Sequence, residues 1–429
     1  MSTVIDLGVP ALDGERPAPA RRPAAHHRRT VLAGLTALLL LVTGGAEPPA
    51  EPALVEVAVV PTSPMHNHTL AGDRLYSAEL DPRRGGRVVT AYELGDGAAR
   101  WTNVVEPPAG ADSLGLDIEL AVWPTGEQLL VSSHDGTSGL DPATGEVRWS
   151  TRPGILDHGG HGVGLSLAPP TDPAVAPGDG RGQVLRGVDL VTGAELWTSG
   201  PIGSGRFLTG ATGALLVVET VDQGVEVRDP RTGTVRAALG AEPGRWRSVA
   251  GNVDDLLIVV FLGEVTGHAA DTLDTRWSFT SPSGRGVTTA CGPHVCVRGD
   301  GRLTLLDAAD GTVLGGIPRT GSPHYRAGHL LIRDGAGDGG TMRSLAPDGR
   351  TLIEMPGWVE LAESPATAPA VLIRRDGDGH RSSFALLEPG ATALRFLGTV
   401  PYPVHDCRST PTHIVCQVGP DRLRVWRYR

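Results

Sequence analysis

The sequence predicts an all-β fold, a β-propeller of four-stranded blades, preceded by one N-terminal transmembrane helix. Two observations predict the propeller. A turn-containing phrase recurs at intervals of 38 to 48 residues, and short strand patterns flank each copy. A third observation, one uncharged apolar stretch near the N-terminus, predicts the helix.

The composition indicates many turns between short strands. Gly and Pro contribute 59 and 35 of the 429 residues, while the hydrophobic share is an ordinary 40%. In the absence of a collagen-like period, this combination is typical of a turn-rich globular protein. The formal net charge of −10 disfavours a polyanionic ligand, so we expect no nucleic-acid partner.

The N-terminal region predicts the compartment. Residues 1–29 are polar, end in a basic run and are interpreted as a disordered cytoplasmic tail. Residues 30–46 carry no charge and would form a helix of roughly 25 Å, at the lower limit for a membrane span. A Pro-rich linker follows at 47–54, and the propeller occupies 55–429. The protein is thus predicted to be a single-pass membrane protein with an extracytoplasmic propeller.

A cleaved signal peptide is the alternative to a retained anchor. Gly44, Gly45 and Ala46 place small residues where a signal peptidase could cut, which would make the protein secreted. Arg28 and Arg29 are also similar to a twin-arginine export signal, although an ordinary positive flank explains them too. In every case residues after the segment leave the cytoplasm.

Four cysteines support an oxidising compartment. Each pair sits on the two arms of a predicted hairpin, where facing positions bring Cα atoms within disulfide range. We predict two disulfides, Cys291–Cys296 and Cys407–Cys416. A zinc site is the alternative, but C-x4-C and C-x8-C spacings fit zinc poorly.

The repeated phrase is clearest at residues 140–149 and 188–197, where Asp, Thr-Gly and Trp recur at fixed offsets. Asp-Pro in the first copy begins a type I turn, and the Gly takes the left-handed conformation that ends such a loop. Weaker copies extend the series. The aligned turn positions are Glu93, Asp141, Asp189, Asp229, Ala269, Asp307, Leu345 and Glu388, separated by 48, 48, 40, 40, 38, 38 and 43 residues.

A more continuous apolar strand precedes most copies, at 128–131, 214–218, 256–261 and 329–332. Such runs are typical of strands buried on both faces, which the stacking of blades would provide. The eight turn positions predict eight blades, with seven as the alternative. Residues 55–60 are a candidate partner for the C-terminal strands in a blade that closes the ring.

The phrase D-x-x-T-G-x-x-x-W at 141–149 and 189–197 resembles the repeat of quinoprotein-type propellers. This family includes pyrroloquinoline-quinone (PQQ) dehydrogenases and a scaffold lipoprotein of the outer-membrane barrel-assembly machinery. The resemblance implies that the Trp docks against the neighbouring blade, a role carried over to Trp101, Trp149, Trp197 and Trp277. Ala237 and Gly315 depart from the pattern.

The sequence predicts no catalytic, cofactor-binding or metal residue. The resemblance implies that catalytic members hold a quinone over a Trp beside two adjacent cysteines, with Ca²⁺ and an Asp base. This chain has no adjacent cysteines and no acidic cluster suited to calcium. We therefore expect a non-catalytic scaffold that binds an exported protein or envelope component. The alternative is a PQQ-type oxidoreductase, or another enzyme with its site in the central channel.

Two histidine groups stay open as metal candidates. His66 and His68 would point to one face of a strand, an arrangement that suits a metal ion. His158 and His161 lie in a Gly-rich loop. The alternative interpretation is that two polar loops carry histidine by chance, and we adopt it for the sequence.

Overall fold

The computed structural model describes residues 53–429 of the chain with gaps. The gaps are 65, 81–85, 107–118, 123–127, 134–135, 160–161, 169–182, 211–212, 242–246, 282–283, 285–286, 300, 318–320, 335–339, 362–367 and 378; side chains are also not described for 119–122, 133 and 210. The predicted tail at 1–29 and the predicted membrane segment at 30–46 lie outside the described residues. Within the described part, no helix combines the length and the hydropathy that a membrane crossing requires.

Every regular element of the described residues is a β-strand, which confirms the all-β prediction. The strands are β1 (Leu54–Pro61), β2 (His66–Ala71), β3 (Arg74–Leu80), β4 (Arg87–Glu93), β5 (Ala99–Val105), β6 (Glu119–Val122), β7 (Leu129–Ser133), β8 (Gly136–Leu140), β9 (Val147–Thr151), β10 (Ile155–His158), β11 (Val163–Ala168), β12 (Gln183–Asp189), β13 (Glu195–Gly210), β14 (Gly213–Thr220), β15 (Val225–Arg228), β16 (Val235–Leu239), β17 (Ser248–Val253), β18 (Leu256–Phe261), β19 (Glu264–Ala269), β20 (Thr275–Thr280), β21 (Val287–Cys291), β22 (His294–Gly299), β23 (Arg302–Asp307), β24 (Val313–Ile317), β25 (Ser322–Arg326), β26 (His329–Asp334), β27 (Thr341–Leu345), β28 (Thr351–Pro356), β29 (Trp358–Glu360), β30 (Ala370–Arg375), β31 (Ser382–Leu387), β32 (Arg395–Val400), β33 (His405–Ser409), β34 (His413–Gln417) and β35 (Arg422–Tyr428).

These strands form eight antiparallel sheets, of which seven have four strands and one has seven. The seven-stranded sheet contains two four-stranded groups that share the long strand β13. The first part of β13 pairs with β12, and the second part of β13, from Ile202 onward, pairs with β14. Counting β13 once for each group gives nine groups in the described residues, so the blade number stays a prediction.

The first strands of neighbouring groups approach one another. Thus β2 contacts β6 and β33, and β21 contacts β17 and β25. We call the first strand of each group its inner strand and the fourth its outer strand. The contact between β2 and β33 joins the first complete group to the last.

The last group closes with a strand from the other end of the sequence. Its order is β33, β34, β35 and then β1, so that Leu54 pairs with Tyr428 and Pro61 with Arg422. Glu56 on β1 accepts hydrogen bonds from Arg424 at 2.8 Å and Tyr402 at 2.9 Å. The closing partner predicted at residues 55–60 is therefore present.

The hydrophobic core lies between groups rather than inside one of them. One cluster joins Tyr76 and Val89 of the β2–β5 group to Leu129 and Leu140 of the next group. The continuous apolar strands predicted from the sequence supply much of this core, since Leu216 and Leu257 on β14 and β18 are fully buried. Sheets that are apolar on both faces are buried by stacking, as the propeller fold requires.

Candidate functional site

The repeated Asp organises the turns in which it occurs. The Asp141 carboxylate accepts hydrogen bonds from the backbone N–H groups of Ala143 (2.7 Å) and Thr144 (3.1 Å), and the Gly145 N–H donates to the Asp141 carbonyl at 2.8 Å. Burial alone would raise the pKa of Asp141, but these bonds and Arg148 lower it. The periodic acids therefore belong to turns rather than to an acid–base pair.

Each of the four predicted docking tryptophans lies on the turn of the following group. The indole N–H groups donate to turn carbonyls: Trp101 to Pro142 at 3.1 Å, Trp149 to Leu190 at 3.0 Å, Trp197 to Pro230 at 2.8 Å and Trp277 to Ala308 at 2.8 Å. A hydrogen bond to a fixed carbonyl aligns the ring, while the ring itself removes apolar area from water.

Glycine flanks three of these indoles on both faces. The turn glycine of the next group lies on one side; a Cβ on Gly193 would come within 2.7 Å of Trp149, and one on Gly233 within 2.6 Å of Trp197. The opposite face rests on the paired residue of the neighbouring strand, Gly187 for Trp197. The corresponding glycines are Gly139 for Trp149 and Gly267 for Trp277. The signal that sequence reasoning missed is this Gly, two residues before the turn position.

Ala237 and Gly315 stand where the repeat would have Trp, and the space that each leaves is filled in a different way. Ala237 packs in a cluster with Leu273, which occupies the turn position that is Gly elsewhere and has a φ of +61°. A larger turn residue thus fills the space that a smaller docking residue leaves. At Gly315, the backbone of the next turn approaches instead, because a Cβ there would lie 2.8 Å from the Pro347 carbonyl oxygen.

Both predicted disulfides are present, and their four cysteines leave no free thiol in the described residues. The expectation that paired cysteines face each other needs a correction for the first bridge. Cys291 pairs in the ladder with His294, whereas Cys296 pairs with Thr289, so the bridge is diagonal with a Cα–Cα distance of 6.0 Å. The tight hairpin turn offsets the two positions by two residues.

His66 and His68 on β2 come together with Asp406 on β33. One potential ligand atom from each residue lies within 4.8 Å of the others. The two imidazole rings stack at 5.5 Å between centroids, and His68 Nδ1 lies 3.3 Å from Asp406 Oδ2. The alternation predicted for His66 and His68 is therefore observed, while Asp406 was not foreseen.

The burial of His68 sets the electrostatics of this group. Its side chain is fully buried, and burial, helped by Arg408 and His66, lowers the pKa of His68 to about 3. Burial also raises the pKa of the Asp406 carboxyl, against the opposing influence of His66. The His68 imidazole is consequently neutral at physiological pH, with a lone pair on one ring nitrogen.

A bulge directs Asp406 toward β2. The register between β33 and β34 shifts between His405 and Arg408, so Asp406 and Cys407 form the irregular part of the strand. Asp406 has a φ of +41°, and Cys407 is bonded to Cys416 on β34. Bulges re-aim side chains out of the normal alternation, and the disulfide ties this one to its neighbour.

The second histidine group is only partly described. His158 ends β10, and the neighbouring Asp157 carboxylate accepts a hydrogen bond from the Phe207 N–H at 2.7 Å. His161 lies outside the described residues. The structure therefore places Asp157 in a contact between adjacent inner strands.

Similar polar contacts link other inner strands. Glu360 on β29 forms an ion pair with Arg326 on β25, and its carboxylate lies 2.8 Å from the His324 side chain, also on β25. A separate cavity of about 280 Å³ is lined by Arg247, Glu264 and His268. Both His268 nitrogens are engaged there, with the Leu273 carbonyl at 3.0 Å and the Thr266 hydroxyl at 2.9 Å.

Comparison with known proteins supports the fold. No protein-family model matches the chain, and no curated protein matches its sequence. Among solved structures, a eukaryotic initiation factor is 10% identical with a TM-score of 0.52, over 78% of this chain and 87% of that one. The chain is a β-propeller. At this identity the likeness shows the fold alone.

Two further solved structures are more distant in shape. BamB from Moraxella catarrhalis is 14% identical, with a TM-score of 0.46, over 88% of this chain and 98% of that chain. Quinohemoprotein alcohol dehydrogenase from Comamonas testosteroni is 11% identical, with a TM-score of 0.42, over 88% of this chain and 76% of that chain.

Proposed function

We propose that this chain is a membrane-anchored, extracytoplasmic propeller that binds another exported protein or envelope component and has no catalytic activity of its own. The anchor rests on the apolar segment at 30–46 and the basic residues before it. The disulfides support an oxidising compartment. The observation that carries the binding role is the distribution of exposed apolar side chains.

Large exposed apolar side chains concentrate on outer strands. We call this set the outer apolar residues: Val55, Val59, Val147, Leu196, Val235, Val313, Leu314, Leu352 and Phe396. Phe396 and Val313 are 56% and 57% exposed, although each belongs to a sheet with a well-buried interior. Apolar side chains that a rigid frame holds in water favour contact with a partner, since burial there removes the free-energy cost of exposing apolar surface to water.

The turn and indole contacts suit a scaffold. Because each indole is held by a hydrogen bond to the next turn, neighbouring groups are fixed to one another. A frame of this kind presents side chains in constant positions, so binding requires little loss of conformational freedom. Outer strands also carry unpaired backbone edges that a partner strand could extend.

Site-specific photocrosslinking tests the binding role. A photoreactive amino acid would replace Phe396 or Val313 in the full-length chain, expressed in the native host cell. The matched controls replace the exposed turn residues Glu146 and Asp310. We expect a discrete protein adduct from the outer positions and none from the controls. Adducts only with lipid, or equal yields from all four positions, would contradict the proposal.

The oxidoreductase alternative has a direct test. The full-length chain in mild detergent would be titrated with PQQ and Ca²⁺ while Trp fluorescence and quinone absorbance are followed. We expect no saturable binding at micromolar protein. Tight, calcium-dependent binding would overturn the non-catalytic interpretation and make a dehydrogenase assay the next experiment.

A further inference from the structure

We propose that His66, His68 and Asp406 bind a divalent transition-metal ion of the zinc type, at the junction between β2 and β33. The three residues come from opposite ends of the propeller sequence and meet where the first complete strand group contacts the last. The inference is independent of the proposed protein-binding role, because none of the outer apolar residues takes part.

The distances are those of a site that needs only small side-chain movements. The potential ligand atoms lie within 4.8 Å of one another, and His68 Nδ1 and Asp406 Oδ2 are 3.3 Å apart. Ligand atoms bound tetrahedrally to zinc at about 2.1 Å lie roughly 3.4 Å from one another. Rotation of the half-exposed Asp406 carboxylate supplies the difference.

Orphaned nitrogens give a second, independent observation. Among the described residues, His66 Nε2 and both ring nitrogens of His68 are buried without a hydrogen-bond partner. Although Asp406 lies 3.3 Å from His68 Nδ1, the alignment does not form a hydrogen bond. Buried polar atoms without partners are costly, and a bound cation would compensate for that cost.

The His66 ring already has the orientation of a metal ligand. Its Nδ1 lies 2.7 Å from the Ser63 carbonyl oxygen, a contact in which only the N–H form can donate. Nε2 is then the nitrogen with the lone pair. Metal-binding histidines commonly donate their other N–H to a carbonyl in this way, which fixes both the tautomer and the ring.

The chemistry of the three residues selects the ion. Two imidazoles and one carboxylate suit Zn²⁺ and its neighbours in the transition series, whereas Ca²⁺ and Mg²⁺ prefer oxygen ligands alone. Three protein ligands also leave one position for water or for a group from a partner. The positive charge of the Arg408 guanidinium, felt at His68, disfavours an additional cation. The negative charge of the Asp406 carboxylate favours one.

Metal titration of the full-length protein tests the site. The chain would be purified without a polyhistidine tag, stripped with chelator and titrated with ZnCl₂ by calorimetry. CoCl₂ would serve as the spectroscopic probe. We expect one equivalent of Zn²⁺, the visible absorption of four- or five-coordinate Co²⁺, and an unfolding temperature that rises with metal concentration.

Variants assign the ligands. His68→Ala, His66→Gln and the nearly isosteric Asp406→Asn should each weaken Zn²⁺ binding by at least about tenfold and change the cobalt spectrum. The control, His413→Ala, removes an imidazole from β34 of the same sheet and should bind as the parent does. Circular dichroism and thermal unfolding without metal would confirm that each variant folds.

Several results would overturn the proposal. These are no binding to the parent protein at micromolar concentration, unchanged affinity in the folded Asp406→Asn and His66→Gln variants, or an equal loss in His413→Ala. A preference for Ca²⁺ over Zn²⁺ in the parent would equally contradict it, because two imidazoles are poor calcium ligands.

Discussion

At the scale of single residues, each indole depends on small neighbours from two strand groups. Trp197 lies between Gly187 of its own sheet and Gly233 of the next turn, and its N–H is held by Pro230 at 2.8 Å. The Trp and the turn Gly were visible in the sequence as a fixed offset. Gly187 was overlooked, although Gly139 and Gly267 stand at the same offset, because its role shows only once its ladder partner is known.

This arrangement predicts that Gly187→Ala destabilises the protein. A Cβ at Gly187 would overlap the indole of Trp197, and overpacking of this kind typically costs about 1–3 kcal/mol. Gly200→Ala is the control, since nothing lies within 4 Å of the position that its new methyl group would take, and we expect a change within about 0.5 kcal/mol. Urea unfolding would measure both, and equal stabilities would refute the role of the glycine.

Leu273, which fills the space beside Ala237, leads to a second prediction. Leu273 is 3% exposed and packs where other groups have glycine, so Leu273→Ala should leave a cavity that costs about 2–5 kcal/mol. Leu262→Ala is a close control. It has the same residue type and a positive φ of 42°, yet it is 74% exposed. A similar loss in both variants would show that backbone strain, rather than packing, governs the effect.

The buried His268 predicts a stability that falls in acid. Burial lowers the pKa of His268 from 6.5, helped by Arg247 and opposed by the hydrogen bond to Leu273. The unfolded chain therefore binds more protons than the folded chain below about pH 6.5. The contribution of His268 is complete above that pH and is lost as the pH falls.

His268→Gln should accordingly make the acid decline shallower, by at most about 1.4 kcal/mol per pH unit. Denaturant titrations between pH 7 and 4 would measure the free energy of unfolding. His294 and His413, whose pKa values are also lowered by burial, leave a residual slope of the same sign. An identical slope in parent and variant would exclude a contribution from His268.

At the scale of elements, the eight aligned turns all lie between the third and fourth strands of a group. Glu93, for example, ends β4 and Glu388 follows β31. The last group has no such turn, because its fourth strand is β1. A count of turns therefore cannot count this group, which the sequence indicated only through the candidate closing strand at residues 55–60.

The shared strand β13 is the other element that the sequence did not predict. Gly200, Pro201 and Gly203 are typical turn residues, yet the strand continues through them from Glu195 to Gly210. The register shifts between Ile202 and Ser204, where the strand passes from one group to the next. Gly and Pro here accommodate a bend rather than a chain reversal.

The hairpin disulfides predict a measurable stabilisation. Cys291 and Cys296 are both fully buried and close a short loop, so their replacement by alanine should cost about 2 kcal/mol. Thermal unfolding of the double variant Cys291→Ala/Cys296→Ala would measure the loss. Reduction of the parent protein provides an independent comparison, and an unchanged unfolding temperature in both would contradict the prediction.

The candidate metal site shows where local pattern reasoning ends. Strand alternation was sufficient to place His66 and His68 on one face of β2. Asp406 could not be added, because its position depends on the contact between β2 and β33 and on a bulge that breaks the alternation. Neither property has a signature within a short window of sequence.

At the scale of the whole molecule, closure depends on β35, which lies between β34 and β1. Removal of residues 422–429 would leave β1 without its partner and would expose the apolar residues against which Leu423, Val425 and Trp426 pack. We expect the truncated chain to lose cooperative unfolding and to be cleaved rapidly by protease. An eight-residue extension after Arg429 is the control and should unfold like the parent; full resistance of the truncated chain would contradict the prediction.

The pairing of Leu54 with Tyr428 also has a consequence for synthesis. A ribosome releases β1 long before β35, whereas every other group can assemble from hairpins made close together in time. During that interval β1 is an open strand edge, able to pair with another copy of the chain. The hazard of aggregation therefore persists through translation and ends when β35 is made.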